Sequence, residues 1–250
     1  RTALYAYLIA KHEGGDFILR IEDTDKKREV ENGVDAIVNG LNYFGISADE
    51  GVTGNNSEKG NYGPYTQSKR AEIYQTFAKD LVKKGLAYPC FCTPEELDEI
   101  RNSQENDDVK GYYGKFAKCR NLTYDEIAEK IAQNKEWTLR LKSNGDINNK
   151  IVFTDVIKGK IEMAENVIDV VLLKTDKIPT YHFAHAVDDH LMRTTHVIRG
   201  DEWIASVPLH IQLFKTLGFK PVKYAHIAPI LKTDGDGKRK LSKRKDPEAA

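Results

Sequence analysis

Basic side chains are concentrated near the end of the 250-residue sequence, between positions 232 and 246. This segment carries seven Lys or Arg residues against three Asp residues, together with two glycines and a serine. Ammonium groups, hydroxyls and backbone N–H groups bind phosphates and stabilise the charge that spreads over a triphosphate under attack. The segment therefore suits ATP chemistry, although the same composition is typical of a solvated basic turn. The chain lacks the Gly-x-x-x-x-Gly-Lys-Ser/Thr pattern of a Walker-type phosphate loop.

Two charged residues stand where a sheet would present them to a ligand. Glu22 ends an apolar run, residues 16–22, that is typical of a strand, and Arg199 ends a second predicted strand at 195–199. A carboxylate at such an end can pair with an α-ammonium group, and a guanidinium can bind a carboxylate through two parallel hydrogen bonds. The alternatives are a surface acid and a surface ion pair, and the aspartates next to Glu22 would serve as well.

Two groups of residues have the types that bind metals. Cys90, Cys92 and Cys119 are all the thiols of the chain, and they suit a tetrahedral zinc, although burial in a strand would also explain two of them. A reducing compartment disfavours disulfides between them. Asp188-Asp-His190 is the second group, but consecutive residues of a helix do not share a face. We therefore reject it as a metal site and predict roles at the helix surface and in capping.

The spacing of apolar residues predicts an α/β fold that positions these groups. The predicted helices are 3–13, 30 to the glycine at 45, 73 to the glycine at 85, 181–192 and 204–217. The predicted strands are 16–22, 87–92, 195–199 and 224–228. Ligands of open α/β sheets bind at the carboxyl ends of the strands. We therefore expect the site after strands 16–22, 195–199 and 224–228.

The pattern changes between residues 86 and 177 to short helices and β-rich pieces. The β-rich pieces are 137–142, 151–157 and 169–175. Two of the helices begin with a Thr-x-x-Glu capping box, from Thr93 and from Thr123. This change predicts a domain inserted into the α/β domain.

The composition excludes some classes of protein and leaves others open. With 40% hydrophobic and 30% charged residues, the chain can bury the core of one or two globular domains. Lysine plus arginine equals aspartate plus glutamate, 38 each, so the net charge indicates no nucleic-acid partner, whereas a local basic face can still bind RNA. No apolar run approaches the ~18–20 residues that a membrane-spanning helix needs, and no signal peptide is recognisable. We expect a cytoplasmic protein without a membrane partner.

Five stretches of the sequence resemble one enzyme family. Residues 240–244, Lys-Leu-Ser-Lys-Arg, are similar to the KMSKS signature of class I aminoacyl-tRNA synthetases, which stabilises the pyrophosphate of ATP during amino-acid activation. The other four resemble bacterial-type glutamyl-tRNA synthetases in order and approximate spacing: Arg20-Ile-Glu-Asp-Thr-Asp25, Gly63-Pro-Tyr-x-Gln-Ser68, residues 179–192 and residues 195–203. The resemblance covers nearly the whole chain.

The resemblance implies the class I synthetase fold, a Rossmann-like parallel sheet split by an inserted α+β connective domain. It divides the chain into a first catalytic half at 1–85, an acceptor-stem-binding insertion at 86–177 and a second catalytic half at 178–250. The family's HIGH motif is expected before Arg1, and its helical anticodon-binding domain after Ala250. These residues alone are therefore expected to activate glutamate poorly.

The resemblance also implies a glutamate site and an ATP site. Glu22 binds the amino group of glutamate, and Tyr181 and Arg199 line the site, with core packing as the alternative for Tyr181. A buried cation such as Arg199 favours glutamate over glutamine, because a neutral amide leaves the cation underpaired. The expected ATP contacts are Glu202, Trp203, Ile230, Leu231 and Lys243, with Trp203 otherwise an ordinary core residue. The expected catalytic residues at the phosphates are Lys240, Ser242 and Lys243.

A zinc site in the insertion is implied as well. The family sometimes holds a zinc there with Cys-x-Cys followed by Cys-x-His, but Asn121 stands in place of the histidine. The resemblance then implies Cys90, Cys92 and Cys119, with a tyrosine of Tyr112-Tyr-Gly114 as the fourth ligand, as in some relatives.

The function that the resemblance implies is the attachment of L-glutamate to tRNA(Glu) through glutamyl-adenylate. The expected substrates are tRNA(Glu), L-glutamate and ATP with Mg²⁺, and we expect a monomer. A shorter paralogue that attaches glutamate to queuosine in a tRNA is one alternative, against which the intact residues 240–244 argue. A non-catalytic, synthetase-derived RNA-binding module is another, and the lysines of residues 240–244 would be dispensable in it.

Overall fold

The computed structural model describes residues 1–25, 32–105, 107–234 and 237–241. Its helices are α1 (Thr2–His12), α2 (Gly33–Tyr43), α3 (Ala71–Lys83), α4 (Pro94–Asn102), α5 (Tyr124–Ala132), α6 (Tyr181–Leu191) and α7 (Val207–Leu217). Its strands are β1 (Ile18–Leu19), β2 (Glu50–Gly54), β3 (Ser57–Lys59), β4 (Ala87–Cys90), β5 (Thr138–Leu141), β6 (Lys150–Asp155), β7 (Gly159–Ala164), β8 (Val171–Leu173), β9 (His196–Gly200), β10 (Lys223–Ile227), β11 (Leu231–Asp234) and β12 (Gly237–Lys240).

Two parallel strand pairs form the α/β part of the molecule. Strand β1 pairs with β2, and β9 pairs with β10 along its full length, from Lys223 opposite His196 to Ile227 opposite Gly200. A helix connects the strands of each pair, α2 in the first and α7 in the second, as parallel pairing requires. The predicted α/β class is confirmed, because both crossovers are βαβ units.

The first strand is shorter than the predicted run at 16–22. Only Ile18 and Leu19 pair with β2, whereas Ile21 forms an isolated parallel bridge with Thr66. The backbone N–H of Ile21 donates to Tyr65 O at 2.9 Å, and its carbonyl accepts from the N–H of Gln67 at 2.9 Å. Within three residues the chain therefore changes its pairing partner from β2 to the segment around Thr66.

The predicted insertion contains antiparallel structure. Strands β4, β5 and β8 form one sheet in that order, and β6 and β7 form a hairpin. Both predicted capping boxes are confirmed, since the hydroxyls of Thr93 and Thr123 each accept the backbone N–H of the glutamate three residues later. Local chemistry fixes these two helix starts.

The main core joins helices α3, α6 and α7 to the sheet of β4, β5 and β8. Leu141, Leu172, Phe183 and Leu213 are fully buried in it. Residues from all three predicted parts of the chain therefore share one apolar core. The division at residues 86 and 177 stays a prediction.

Helix α6 carries two buried carboxylates, so the prediction of surface and capping roles for Asp188 and Asp189 was wrong. Asp188 accepts hydrogen bonds from Arg70 Nε (2.8 Å), Gln67 Nε2 (3.0 Å) and Tyr74 OH (2.7 Å). Asp189 accepts from Arg20 Nη1 at 2.8 Å. Successive residues of a helix point about 100° apart, so the two acids serve different neighbours. Each neutralises an arginine distant in sequence.

The helices of the described ranges are short. The longest is α3, with 13 residues, and none of the described helices has the length and apolar content needed to span a membrane.

Candidate amino-acid and nucleotide site

Arg199 lies at the carboxyl end of β9, and its side chain is buried. Its Nε donates to His226 Nε2 at 3.0 Å, its Nη1 lies 3.2 Å from His210 Nδ1, and its Nη2 donates to Trp203 O at 3.4 Å. Within the described part of the chain, no carboxylate oxygen lies within 4 Å of this guanidinium. Arg199 is thus a buried cation held by neutral acceptors. A guanidinium has five N–H donors, and these contacts use three of them.

Aromatic rings surround this cation. The guanidinium carbon of Arg199 lies 4.5 Å from the centroid of the Tyr224 ring and 5.8 Å from that of Trp203. Tyr181, the first residue of α6, packs against Trp203 with ring centroids 4.7 Å apart. Ring faces attract a guanidinium without neutralising its charge. The predicted residues Tyr181, Arg199 and Trp203 therefore form one cluster of contacts.

The histidines beside Arg199 are neutral near pH 7. Burial, together with the charges of His185 and Arg199, lowers the pKa of His182 to about 4. Burial is also the main cause that lowers the pKa of His210 and the pKa of His226. Each imidazole then has one N–H donor and one acceptor nitrogen. They hold the arginine as acceptors and add no positive charge to the pocket.

Glu22 supplies a negative group near the same tyrosine. Burial raises the pKa of Tyr181 above its usual range, Glu22 raises it further, and Arg199 opposes both. The carboxylate of Glu22 also accepts a hydrogen bond from Arg20 Nη2 at 3.2 Å, and the Glu22 side chain is 35% exposed. The charges of Glu22 and Arg199 therefore both act electrostatically on Tyr181, in opposite directions.

The predicted ATP residues lie on two elements that follow the parallel strands. Glu202 and Trp203 belong to a short 3₁₀ helix, Asp201–Ser206, directly after β9. Ile230 and Leu231 follow β10 and are half exposed, at 49% and 53%. Both groups therefore follow the carboxyl ends of two neighbouring parallel strands, and their binding of ATP stays a prediction.

The basic segment does not begin as the predicted loop. Strands β11 and β12 form an antiparallel hairpin in which Leu231 pairs with Lys240, and the N–H of Leu241 donates to Ile230 O at 2.9 Å. The backbone of Lys240 thus ends a strand. Ser242 and Lys243, the other two predicted catalytic residues, lie outside the described residues.

A cavity of about 450 Å³ opens beside the carboxyl end of β10. Its walls are mostly apolar: Arg1, Tyr5, Ile9, Val156, Ile157, Ile198, Ala225, Ile227, Ala228 and Pro229. The predicted ATP contacts Glu202, Trp203, Ile230 and Leu231 are not among them, but Pro229 directly precedes Ile230. The guanidinium of Arg1 donates to the carbonyl of Ala228 at the same place.

The three cysteines converge in the predicted insertion. Their sulfur atoms all lie within 4.8 Å of one another, and the sulfurs of Cys92 and Cys119 are 3.7 Å apart. In a tetrahedral zinc site with Zn–S distances of about 2.3 Å, sulfurs are separated by about 3.8 Å. The hydroxyl of Tyr112 lies 3.4 Å from Cys92 Sγ and accepts the N–H of Cys119 at 2.9 Å. Three soft ligands and a phenol oxygen therefore meet at one place, and this donor set fits zinc.

Sequence reasoning missed three residues that contact or support Arg199, namely Asp155, His210 and His226. The carboxylate of Asp155 lies 2.6 Å from His226 Nδ1. His226 follows Ala225 in β10, so its place in a strand leading to the predicted site was the available signal. Asp155 lies in the predicted insertion, and nothing in its local pattern pairs it with residue 226.

Comparisons with known proteins are consistent with this geometry. A family model described as the catalytic domain of class I tRNA synthetases (E and Q) matches residues 1–249. A glutamate–tRNA ligase of Clostridium beijerinckii is 55% identical over 250 residues, which are 100% of this chain and 45% of that protein. One of Acetivibrio thermocellus is 54% identical over 241 residues, 96% of this chain and 44% of that protein.

A solved structure is similar over nearly the same range. The crystal structure of a glutamate tRNA ligase from Elizabethkingia meningosepticum in complex with its amino acid has a TM-score of 0.85 and 40% identity. The match covers 99% of this chain and 49% of that one. This chain therefore spans about half the length of the proteins that it matches.

Proposed function

Because the chain belongs to the catalytic-domain family of the class I tRNA synthetases for glutamate and glutamine, we propose that the protein attaches L-glutamate to tRNA(Glu) through glutamyl-adenylate. The curated relatives at 54–55% identity carry the name of this activity. They favour neither the queuosine-modifying paralogue nor a non-catalytic RNA-binding module.

The observation that carries the proposal is the buried cation at Arg199. It is held by neutral partners and lacks a carboxylate among the described residues, so a substrate carboxylate can complete it. Glutamate brings such a group on its side chain. Glu22, which also acts electrostatically on Tyr181, then pairs with the ammonium group. One pocket thus recognises both ends of the amino acid by charge.

The chemistry proposed for this pocket is a displacement at phosphorus. An oxygen of the α-carboxylate of glutamate attacks the α-phosphate of ATP, and pyrophosphate leaves. A terminal ribose hydroxyl of tRNA(Glu) then attacks the acyl carbon of the adenylate, the acyl–phosphate bond breaks and AMP leaves. ATP enters as its Mg²⁺ complex, which neutralises part of the phosphate charge. Glu22 and Arg199 act by orienting the carboxylate, because positioning alone can supply much of such a rate enhancement.

ATP is assigned to the edge formed by the ends of β9 and β10. We place the adenosine near Ile230 and Leu231, next to the apolar cavity, with Glu202 and Trp203 on the other side. Lys240, Ser242 and Lys243 follow along the chain and are proposed to stabilise the leaving pyrophosphate. The antiparallel hairpin of β11 and β12 supports this assignment, since it holds the start of the basic segment beside Ile230.

The predicted insertion at 86–177 is proposed to hold the acceptor end of the tRNA. Its lysines suit contacts with the phosphate backbone, which position an RNA without reading its sequence. A single polypeptide is the proposed active unit.

Glutamate-dependent exchange of pyrophosphate into ATP tests the function. The longest natural form of the protein is expected to catalyse this exchange, measured with and without tRNA. Lys243→Ala is expected to lower the rate about a hundredfold, since one lost donor to a developing charge typically has an effect of this order. Lys79→Ala, which removes an exposed lysine on α3, serves as the control and should leave the rate unchanged.

The outcomes separate the alternatives. Full exchange by Lys243→Ala would remove the catalytic role of this lysine. No exchange by the parent protein under either condition would favour the RNA-binding module. Charging of a queuosine-bearing tRNA in place of tRNA(Glu) would favour the paralogue.

We also propose that Cys90, Cys92, Cys119 and Tyr112 bind one zinc ion. The proposal rests on three sulfurs within 4.8 Å of one another and on the phenol oxygen beside them. Bound zinc would join β4 to the segment around Cys119, where a small apolar cluster otherwise holds the chain. The ion has a structural role in this proposal, because four protein ligands leave no position for a substrate.

Removal of a ligand tests the zinc site. Cys119→Ser is expected to abolish stoichiometric zinc in the purified protein, as measured by elemental analysis, and to lower its unfolding temperature. Tyr112→Phe is the matched variant, since it keeps the ring and removes only the oxygen. Full retention of zinc by Cys119→Ser would exclude this site. If Tyr112→Phe retains zinc and Cys119→Ser loses it, the three thiolates bind the ion with a fourth ligand other than Tyr112.

A further inference from the structure

We infer that Asp155, His226 and His210 are positioning residues that orient Arg199 while leaving its charge uncompensated, so that the pocket selects an anionic side chain. The inference rests on the proposed function, because it assigns the specificity of the same site. It extends the site into the hairpin of β6 and β7, which supplies Asp155.

The carboxylate of Asp155 is itself held in place. Its Oδ1 accepts the backbone N–H groups of Ile157 and Lys158 at 3.0 and 2.9 Å, and its Oδ2 accepts the N–H of His226 at 3.1 Å. Asp155 is 1% exposed, and Oδ2 lies 2.6 Å from His226 Nδ1. A carboxylate can only accept, so the proton of the neutral imidazole resides on Nδ1. Asp155 therefore fixes the tautomer of His226.

The fixed tautomer determines what His226 offers to Arg199. With Nδ1 protonated, Nε2 carries a lone pair and accepts the Nε–H of Arg199 at 3.0 Å. In the opposite tautomer the Nε2–H of His226 would face the Nε–H of Arg199, and these two donors could not form a hydrogen bond. An orienting partner of this kind often sets the tautomer of a functional histidine.

A second imidazole acts on the other side of the guanidinium. Nδ1 of His210 lies 3.2 Å from Arg199 Nη1, so Nδ1 is the acceptor and Nε2 carries the proton. That N–H points to His182 Nδ1 at 2.8 Å. His210 and His226 are both fully buried, and the depressed pKa of each agrees with a neutral ring. Two neutral rings thus hold two sides of Arg199.

Arg70 and Arg20 are held differently, by the carboxylates of α6. Arg70 Nε donates directly to Asp188 at 2.8 Å, and Arg20 Nη1 donates directly to Asp189 at 2.8 Å. Such pairs neutralise the cation and leave little attraction for a further anion. At Arg199 an imidazole lies between the cation and Asp155. The guanidinium is therefore oriented by neutral hydrogen bonds, and its charge remains available to a ligand.

This arrangement explains a preference for glutamate over glutamine. A glutamate carboxylate completes the buried cation, whereas the amide of glutamine offers one neutral oxygen and leaves the charge uncompensated. If an acid of the protein neutralised Arg199, the pocket would lose its preference for a charged side chain. Replacing one neutral acceptor with an anionic one tests this directly.

His210→Asp and His210→Asn form a matched pair in the longest natural form of the protein. Both place an oxygen near the former Nδ1, both remove the contact with His182, and they differ in charge. We expect His210→Asp to raise KM for glutamate about a hundredfold relative to His210→Asn, because an internal anion competes with the substrate. The preference for glutamate over glutamine should fall at least about tenfold, while KM for ATP changes less than about threefold. ATP–pyrophosphate exchange with either amino acid measures all three values.

Asp155→Asn is a second variant, which keeps the shape and the Oδ1 acceptor for the hairpin turn. Its amide N–H₂ favours the opposite tautomer of His226, so we expect KM for glutamate to rise about tenfold with kcat and KM for ATP nearly unchanged. If Asp155 had a purely structural role, the substitution would instead lower the unfolding temperature without raising KM for glutamate selectively. Thermal unfolding, followed by circular dichroism, checks that each variant is folded.

Each outcome decides the inference. A parent protein without glutamate-dependent exchange contradicts the proposed function, and the inference with it. A parent that exchanges, with equal glutamate KM in His210→Asp and His210→Asn, contradicts the inference alone. If His210→Asp does not fold, an unchanged glutamate KM in Asp155→Asn overturns the inference, and a selective rise supports it.

Discussion

Replacing Arg199 with glutamine is expected to lower kcat/KM for glutamate by about 10²–10³-fold. Removal of one member of a buried charge pair typically costs about 3–4 kcal/mol, which corresponds to this factor. The protein loses the charge while His210, His226 and Trp203 keep their places around a side chain of similar length. KM for ATP should change little, because the substitution affects only the amino-acid side of the pocket.

The measurement is ATP–pyrophosphate exchange at varied glutamate and ATP concentrations. Arg193→Gln is the matched control, since Arg193 is exposed and stands six residues before Arg199 in the same part of the chain. It should leave both KM values unchanged. A glutamate KM in Arg199→Gln within about twofold of the parent would assign the substrate carboxylate to another residue.

Replacing Asp188 with asparagine is expected to lower the free energy of unfolding by roughly 3–5 kcal/mol. The substitution leaves the guanidinium of Arg70, which is 2% exposed, without a counter-charge. It also places an amide N–H₂ among donors from Gln67 and Tyr74 that need an acceptor. For a chain of this length the loss corresponds to an unfolding temperature about 10 °C lower.

A second ion pair of the same chain provides the control. Asp80 and Lys84 pair at 2.6 Å across one turn of α3, but both side chains are about half exposed. Asp80→Asn makes the same chemical change at a similar distance, and the unfolding temperature should move by only about 1 °C because exposed pairs contribute little. Equal shifts in both variants, measured by circular dichroism or calorimetry, would contradict the role assigned to burial.

Features with a local cause were predictable from the sequence. The capping boxes at Thr93 and Thr123 are confirmed because a side chain three residues away satisfies the first turn of each helix. Strand β9 is confirmed to within one residue because its apolar run is bounded by polar residues. The predicted grouping of Tyr181 with Arg199 came from a resemblance and not from spacing. Their assigned roles stay predictions.

Features that depend on distant partners were not predictable in the same way. Asp188 and Asp189 look like surface residues in sequence because nothing near them reveals that Arg70 and Arg20 face them inside the molecule. The shortening of the first strand depends on Thr66, which is 45 residues away from Ile21. The fixed tautomer of His226 requires Asp155, which is 71 residues away. Pattern reasoning reaches one turn or one hairpin, and these contacts lie beyond that range.

The link between Arg20 and Asp189 has a consequence for the order in which the protein is made. The two residues are 169 positions apart, so a ribosome that adds about 5–20 residues per second needs roughly 8–34 s to extend the chain from one to the other. During this interval Arg20 can pair with Glu22, two residues away, but not with Asp189. The contact between Arg20 and Asp189 therefore forms late in synthesis, after α6 has left the ribosome.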